Sequence, residues 1–189
     1  MTYRNETGLP SVTELIRPYV DTRWYTEESR KRGSVVHAAC AAVARGLFCP
    51  PMASDLQGYV DSFGRWFADN VRAVHETEKR YVHEALGYTG QLDLVATLSG
   101  VDGPAVIDLK TAAVAYRSWA VQLAAYRELY GYAEGVAPPP LPRTGYLMLA
   151  RDGSEPKLHL YKSATMGRAM NVFLGLLNAH NYFKKGGRL

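Results

Sequence analysis

Two runs of alternating residues, GQLDLVATL (Gly90–Leu98) and AVIDLK (Ala105–Lys110), flank the turn-forming stretch SGVDGP. Period-two alternation on either side of Gly, Asp and Pro is the pattern of a hairpin, and it limits this chain more than any other feature. With the turn near Gly100, Asp93 and Asp108 face each other on adjacent strands. Lys110 lies two residues beyond Asp108 and shares its face. In the first run, Leu92, Leu94, Ala96 and Leu98 share one face, and Gln91, Asp93, Val95 and Thr97 the other.

Around this hairpin the pattern is mostly helical. SVTELIRPYV predicts a short helix with Ser11 or Thr13 as N-cap and Pro18 near its end. A longer helix is expected from Glu27 to Gly46, with Val36, Cys40, Val43 and Leu47 in step and Gly33 weakening its start. After the break at CPPMASD, the stripe Leu56, Val60, Phe63, Phe67, Val71 predicts another helix, capped by Ser54 or Asp55. The helical part should span 11–75, and strands should begin at Glu78. A helix over Tyr116–Tyr132 carries Trp119, Leu123, Tyr126 and Tyr130. GVAPPPLPRTG, with a PxxP spacing at Pro139 and Pro142, is a stiff surface connector. YLMLA and KLHLY predict two more strands, and Met166, Met170, Phe173 and Leu177 a last helix over Ala164–Phe183. The order is helices, three strands, helix, two strands, helix. That is an α/β single domain with a central mixed sheet flanked by helices, its core spanning 76–183.

No apolar run reaches membrane-spanning length, and the N-terminus lacks a secretory layout, so no membrane partner and a cytoplasmic location are expected. Two cysteines, Cys40 and Cys49, are too few for a disulfide framework or a cysteine-only metal cage. Cys40 should pack in its helix as a small apolar residue. The net charge of +4 is compatible with a polyanionic partner. Arg30, Lys31 and Arg32 concentrate it; they could grip a phosphate of DNA or form a solvated helix start. The basic tail FKKGGRL reads as a solvated terminus. His75, His83, His159 and His180 have no ligand spacing. Trp24, Trp66 and Trp119 read as core.

Asp108 and Lys110 alone could be a partly buried ion pair. Asp93 beside them changes the electrostatics, because two adjacent carboxylates repel unless something positive lies between them. Lys110 can serve, and a divalent cation serves better. Such a group suits phosphodiester hydrolysis: the cation polarises the phosphoryl oxygen and acidifies a water, and the ammonium positions that water or stabilises developing charge.

The stretch GYTGQLDLVATL…AVIDLKT…QLAAY resembles the PD-(D/E)XK nuclease superfamily in its RecB-like exonuclease branch. Gly90 and Asp93 match a Gly-x-x-Asp strand. Ile107, Asp108 and Lys110 match the apolar-Asp/Glu-x-Lys strand. Gln122 and Tyr126 match a Gln-x-x-x-Tyr helix, and Gly33 and His37 an upstream Gly-x-x-x-His helix. All four occur in the family's order. The resemblance implies a restriction-endonuclease-like core, with Mg²⁺ or Mn²⁺ held by His37, Asp93, Asp108 and the backbone carbonyl of Leu109. It implies Lys110 as the catalytic lysine, with Gln122 and Tyr126 bordering the site. Glu78 is a looser match to a Glu that precedes the Gly-x-x-Asp strand in relatives. The four cysteines of cluster-bearing relatives are missing, so no iron–sulfur cluster is expected, nor, at this length, a helicase module. The implied activity is a metal-dependent DNase, an exonuclease more than an endonuclease, in recombination, repair or phage DNA processing. DNA is the implied partner, with a recombinase or single-strand annealing protein and self-assembly compatible with it. The contrasting expectation is a non-catalytic nucleic-acid-binding or assembly protein that keeps the fold.

Overall fold

The computed structural model describes residues 8–20, 26–135 and 141–185, with only the backbone of Lys185. Its elements are α1 (Val12–Ile16), a 3-10 turn (Arg17–Tyr19), α2 (Glu27–Ala44), α3 (Ser54–Asn70), β1 (Val71–His83), β2 (Tyr88–Leu98), β3 (Pro104–Lys110), α4 (Arg117–Ala133), β4 (Arg143–Met148), β5 (Lys157–Leu160) and α5 (Ser163–Lys185). The five strands form one sheet in chain order. Only the β3–β4 pair is parallel, and α4 provides the crossover that a parallel pair needs. This is the expected α/β domain with a mixed sheet.

Both faces of the sheet are covered. On one, Tyr88, Leu92, Val95 and Val106 pack with Leu15 of α1, Leu129 of α4 and Phe173 of α5. On the other, Leu94, Ala96, Ile107 and Leu109 pack with Val36 and Cys40 of α2 and Phe63 and Trp66 of α3. Cys40 is a buried free thiol, as its helical position predicts. Ser11 caps α1 in a capping box with Glu14, and Thr26 caps α2 by accepting from the Ser29 N–H at 3.1 Å; each satisfies an otherwise orphaned donor. The edges are blunted. β5 has four residues and starts with a lysine, and β1 is charged and bulged, both of which discourage edge pairing.

Several local expectations are corrected. β1 begins at Val71, directly after α3, well before Glu78 and inside the stretch to residue 75 that was expected to be helical. Two bulges and a half-exposed edge position hide the strand period there. Ser54 lies in the first turn of α3; the N-cap is Ala53, with no side-chain cap. Leu47 is exposed, because α2 ends at Ala44 and the chain turns at Gly46, whose φ is 66°. Leu92 does not share a face with Leu94, Ala96 and Leu98 but joins the opposite layer. Trp66 and Trp119 are buried. Trp24, Pro139 with its PxxP spacing, and the tail from 186 onward lie outside the described residues. No helix among the described residues is long and apolar enough to cross a membrane.

Candidate functional site

Asp93 sits where the sheet comes apart on both sides. Toward β3, the ladder pairs Leu94 with Ile107 and ends there. The Leu109 N–H donates instead to Oδ2 of Asp93 at 2.8 Å, so a carboxylate replaces a ladder rung. Toward β1, Thr77 pairs with Leu94 and Lys79 with Leu92 in one unshifted register, and the rung between them, Glu78 opposite Asp93, is not made. Glu78 has a φ of 49°, in the left-handed region that costs an L-residue about 1–2 kcal/mol. This double fault accounts for the change of side between Leu92 and Leu94.

The fault gathers side chains from three elements. Nδ1 of His37, on α2, lies 3.4 Å from Oδ1 of Asp93 and 3.8 Å from Oε1 of Glu78. One ligand atom from each of the three lies within 4.8 Å of the others. Gln91 Nε2 donates to Oε2 of Glu78 at 2.5 Å, and Arg45 donates to the Thr77 carbonyl at 2.7 Å, which pins the chain beside the distorted residue. Oε1 of Glu78 is buried and accepts no hydrogen bond.

Asp108 is 2% exposed and forms an ion pair with Lys110. The Lys110 ammonium also donates to Oε1 of Gln122 at 3.2 Å and lies 5.1 Å from the centre of the Trp119 ring. Gln122 Nε2 donates in turn to the Tyr126 hydroxyl at 3.0 Å. The helical spacing of Gln122 and Tyr126 thus becomes a hydrogen-bonded chain that ends on the lysine.

The charges are strongly interdependent. Burial of His37 disfavours its cation, but Asp93, Asp108 and Glu78 outweigh this and raise its pKa to about 9. Burial works against the Asp93 carboxylate as well, yet the imidazolium, Lys110 and the Leu109 N–H hold its pKa below the ordinary value. Asp108 is pushed up to about 6, chiefly by burial, with Lys110 opposing and Asp93 reinforcing. Burial and then Asp93 raise Glu78. Four ionisable groups around one point are therefore short of positive charge.

The remaining sequence-predicted residues divide. Arg30 and Arg32 line the same cleft as His37 and Lys110. Lys31, one residue between them, does not line this cleft and pairs with Glu27 at 3.1 Å, both side chains exposed. Glu78, the loosest match, stands among the closest groups. Tyr116 also walls the cleft; nothing in the sequence marks it, because it belongs to no motif and precedes α4.

Two substitutions test this local architecture. A Cβ on Gly90 would lie 2.7 Å from both the Tyr126 ring and a Leu129 methyl, closer than real contacts allow. Gly90→Ala should displace Tyr126, loosen its bond to Gln122 and destabilise the fold by about 1–3 kcal/mol; a denaturant melt measures the loss. At the left-handed position, Glu78→Gly should be more stable than Glu78→Ala by about 1 kcal/mol, the reverse of the usual order within a strand. Equal melts would show that the φ of Glu78 is not strained.

No family model and no curated protein matches the chain. Among solved structures it is similar to the "putative exonuclease" from Eubacterium rectale, with a TM-score of 0.53 and 14% identity over 95% of this chain and 88% of that one. A second, SSO0001, reaches a TM-score of 0.34 and 16% identity over 75% of this chain and 74% of that one, too loose to carry an argument. At 14% identity the first likeness is one of fold.

Proposed function

We propose that this chain is a divalent-metal-dependent deoxyribonuclease of the PD-(D/E)XK type that works from DNA ends. The observation that carries the reading is the double break of the sheet at Asp93, which puts His37 and Glu78 against it on one side and Asp108 with Lys110 near it on the other. A sheet has no structural need to bury three carboxylates so close together, and burial without compensation is costly. The donor set fits Mg²⁺ or Mn²⁺: carboxylate oxygens with one imidazole nitrogen, including a buried Glu78 oxygen that lacks a hydrogen bond.

His37, Glu78 and Asp93 would hold the ion, together with Asp108 and the Leu109 carbonyl. An extended residue points its N–H and C=O to the same side, and the Leu109 N–H already points to Asp93. When bound, the ion would polarise the phosphoryl oxygen and lower the pKa of a water. Lys110, steadied by Asp108 and Gln122, places its ammonium where it can orient the attacking water and stabilise charge gathering on the phosphoryl group. The water oxygen forms the new P–O bond, the ester P–O bond breaks, and the departing sugar oxygen takes up a proton. Tyr126 and Gln122 act as positioning residues for Lys110.

The test compares circular duplex, linear duplex and end-labelled single-stranded DNA, with EDTA, Mg²⁺ or Mn²⁺. Metal-dependent loss of linear DNA, with circles spared, is the expected result. Salt-sensitive DNA binding without cleavage under either ion would overturn it in favour of a binding protein.

A further inference from the structure

Beside Lys110 lies a cleft of about 230 Å³ between the start of α2, the end of β3 and the start of α4. A cleft of this size, open to solvent, is on the scale of a single nucleotide. Its lining includes Arg30, Arg32 and Lys110 and, among the described residues, no carboxylate. Arg32 is half-buried, and its Nε is buried with no hydrogen-bond acceptor. Arg32 lines the cleft, and a phosphate oxygen is an acceptor that a guanidinium suits. Gly33 has no atom within 4 Å of where a Cβ would be, so the mouth stays open.

Tyr116, half-buried, lines the same cleft. Its ring meets Trp119 edge-to-face at 5.6 Å and 64°, and Trp119 carries the Lys110 ammonium at 5.1 Å. The tyrosine is therefore in contact with the residue that touches Lys110. An aromatic ring and guanidinium groups in one cleft are the combination that holds single-stranded nucleic acid, by stacking on the base and pairing with the phosphate. A base still paired in a duplex is stacked on its neighbour and must first be unstacked to enter.

We propose that this cleft selects unpaired DNA ends: Tyr116 stacks the base of the terminal nucleotide, and Arg32, with Arg30, binds its phosphate beside Lys110. This rests on the deoxyribonuclease reading, and it makes single strands and overhangs the preferred substrate class.

The experiment reads binding without turnover. Fluorescence anisotropy in EDTA follows single-stranded oligonucleotides whose 5′ or 3′ terminal nucleotide is intact or abasic, and a blunt duplex. For the wild-type protein, the abasic change at one end should weaken binding about tenfold to hundredfold, and the blunt duplex should bind more weakly than the intact strand. Tyr116→Ala should weaken intact DNA by a similar factor and make it indifferent to the abasic change, while Tyr116→Trp keeps the discrimination. Arg32→Ala should lower the slope of log affinity against log salt by about one phosphate contact. Equal wild-type affinity for intact and abasic ends, or undiminished discrimination in Tyr116→Ala, would overturn the proposal. Absence of cleavage with every DNA and either ion would instead overturn the deoxyribonuclease reading, which this binding ratio does not measure.

Discussion

Asp93→Asn should reduce DNA cleavage by about 10³-fold or more while leaving the fold standing. The amide is isosteric and its oxygen can still accept the Leu109 N–H that Asp93 now takes at 2.8 Å, so the link between β2 and β3 survives. The charge does not. Burial already opposes the His37 cation, and Asp93 is the strongest influence raising its pKa. In the variant that pKa should fall well below 9, which an NMR titration of the imidazole reads directly. Metal affinity should fall by at least about 10²-fold, since a directly coordinating group matters more than the outer-shell partners whose loss costs 10–100-fold. Asp93→Ala provides the contrast. It leaves the Leu109 N–H without its acceptor, at about 1–3 kcal/mol, so it should lose stability as well as activity. An Asn variant that cleaves DNA like the wild type would remove Asp93 from the site.

The central hairpin was legible because its turn chemistry and alternation agree: the observed pairing of Leu94 with Ile107 and Val95 with Val106 is the register that puts Asp93 opposite Asp108. Period and register say where strands pair, however, not where pairing fails. The rung taken over by the Asp93 carboxylate, the left-handed φ at Glu78 and the switch of Leu92 to the other layer are three faces of one fault. No residue type announces it, since a glutamate is not a residue that ordinarily marks φ > 0. For the same reason Glu78 looked peripheral in sequence and stands within ligand distance of His37 and Asp93 in space. The SRKRG cations show the opposite limit. Their charge is evident, yet helical rotation separates Arg30 and Arg32, in the cleft, from Lys31, which lies beside Glu27 outside it. Tyr116 carries no motif, and only the folding of α4 against β3 brings it beside Lys110.

Lys110→Ala should abolish cleavage and add a loss of stability with rising pH to the one that His37, its pKa raised to about 9, already gives the wild type. The Asp108 pKa is raised from 3.8 to about 6, so the folded state holds that proton more tightly than the unfolded state. The stability this contributes is full below 3.8 and is lost as pH rises through about 6. Above that, the group is ionised in both states and the wild-type protein loses no more from it; Lys110 keeps the folded-state pKa from rising further. Without Lys110 the carboxyl keeps its proton to higher pH, and the loss continues at about 1.4 kcal/mol per pH unit. Relative to wild type, the charge-related deficit should be near zero at pH 6, about 1 kcal/mol at pH 7 and about 3 kcal/mol at pH 8. Lost packing of the lysine stem adds a part that does not vary with pH. Denaturant melts at these three values measure the slope. The double variant Asp108→Asn, Lys110→Ala should lose that slope and remain inactive, which separates the cost of an unpaired buried charge from the loss of the ammonium. Mg²⁺ should narrow the gap at pH 8, because a cation bound beside Asp108 takes over part of the neutralisation. Parallel wild-type and Lys110→Ala curves from pH 6 to pH 8 would mean that Lys110 does not hold the charge of Asp108, and the lysine would lose its place in the site.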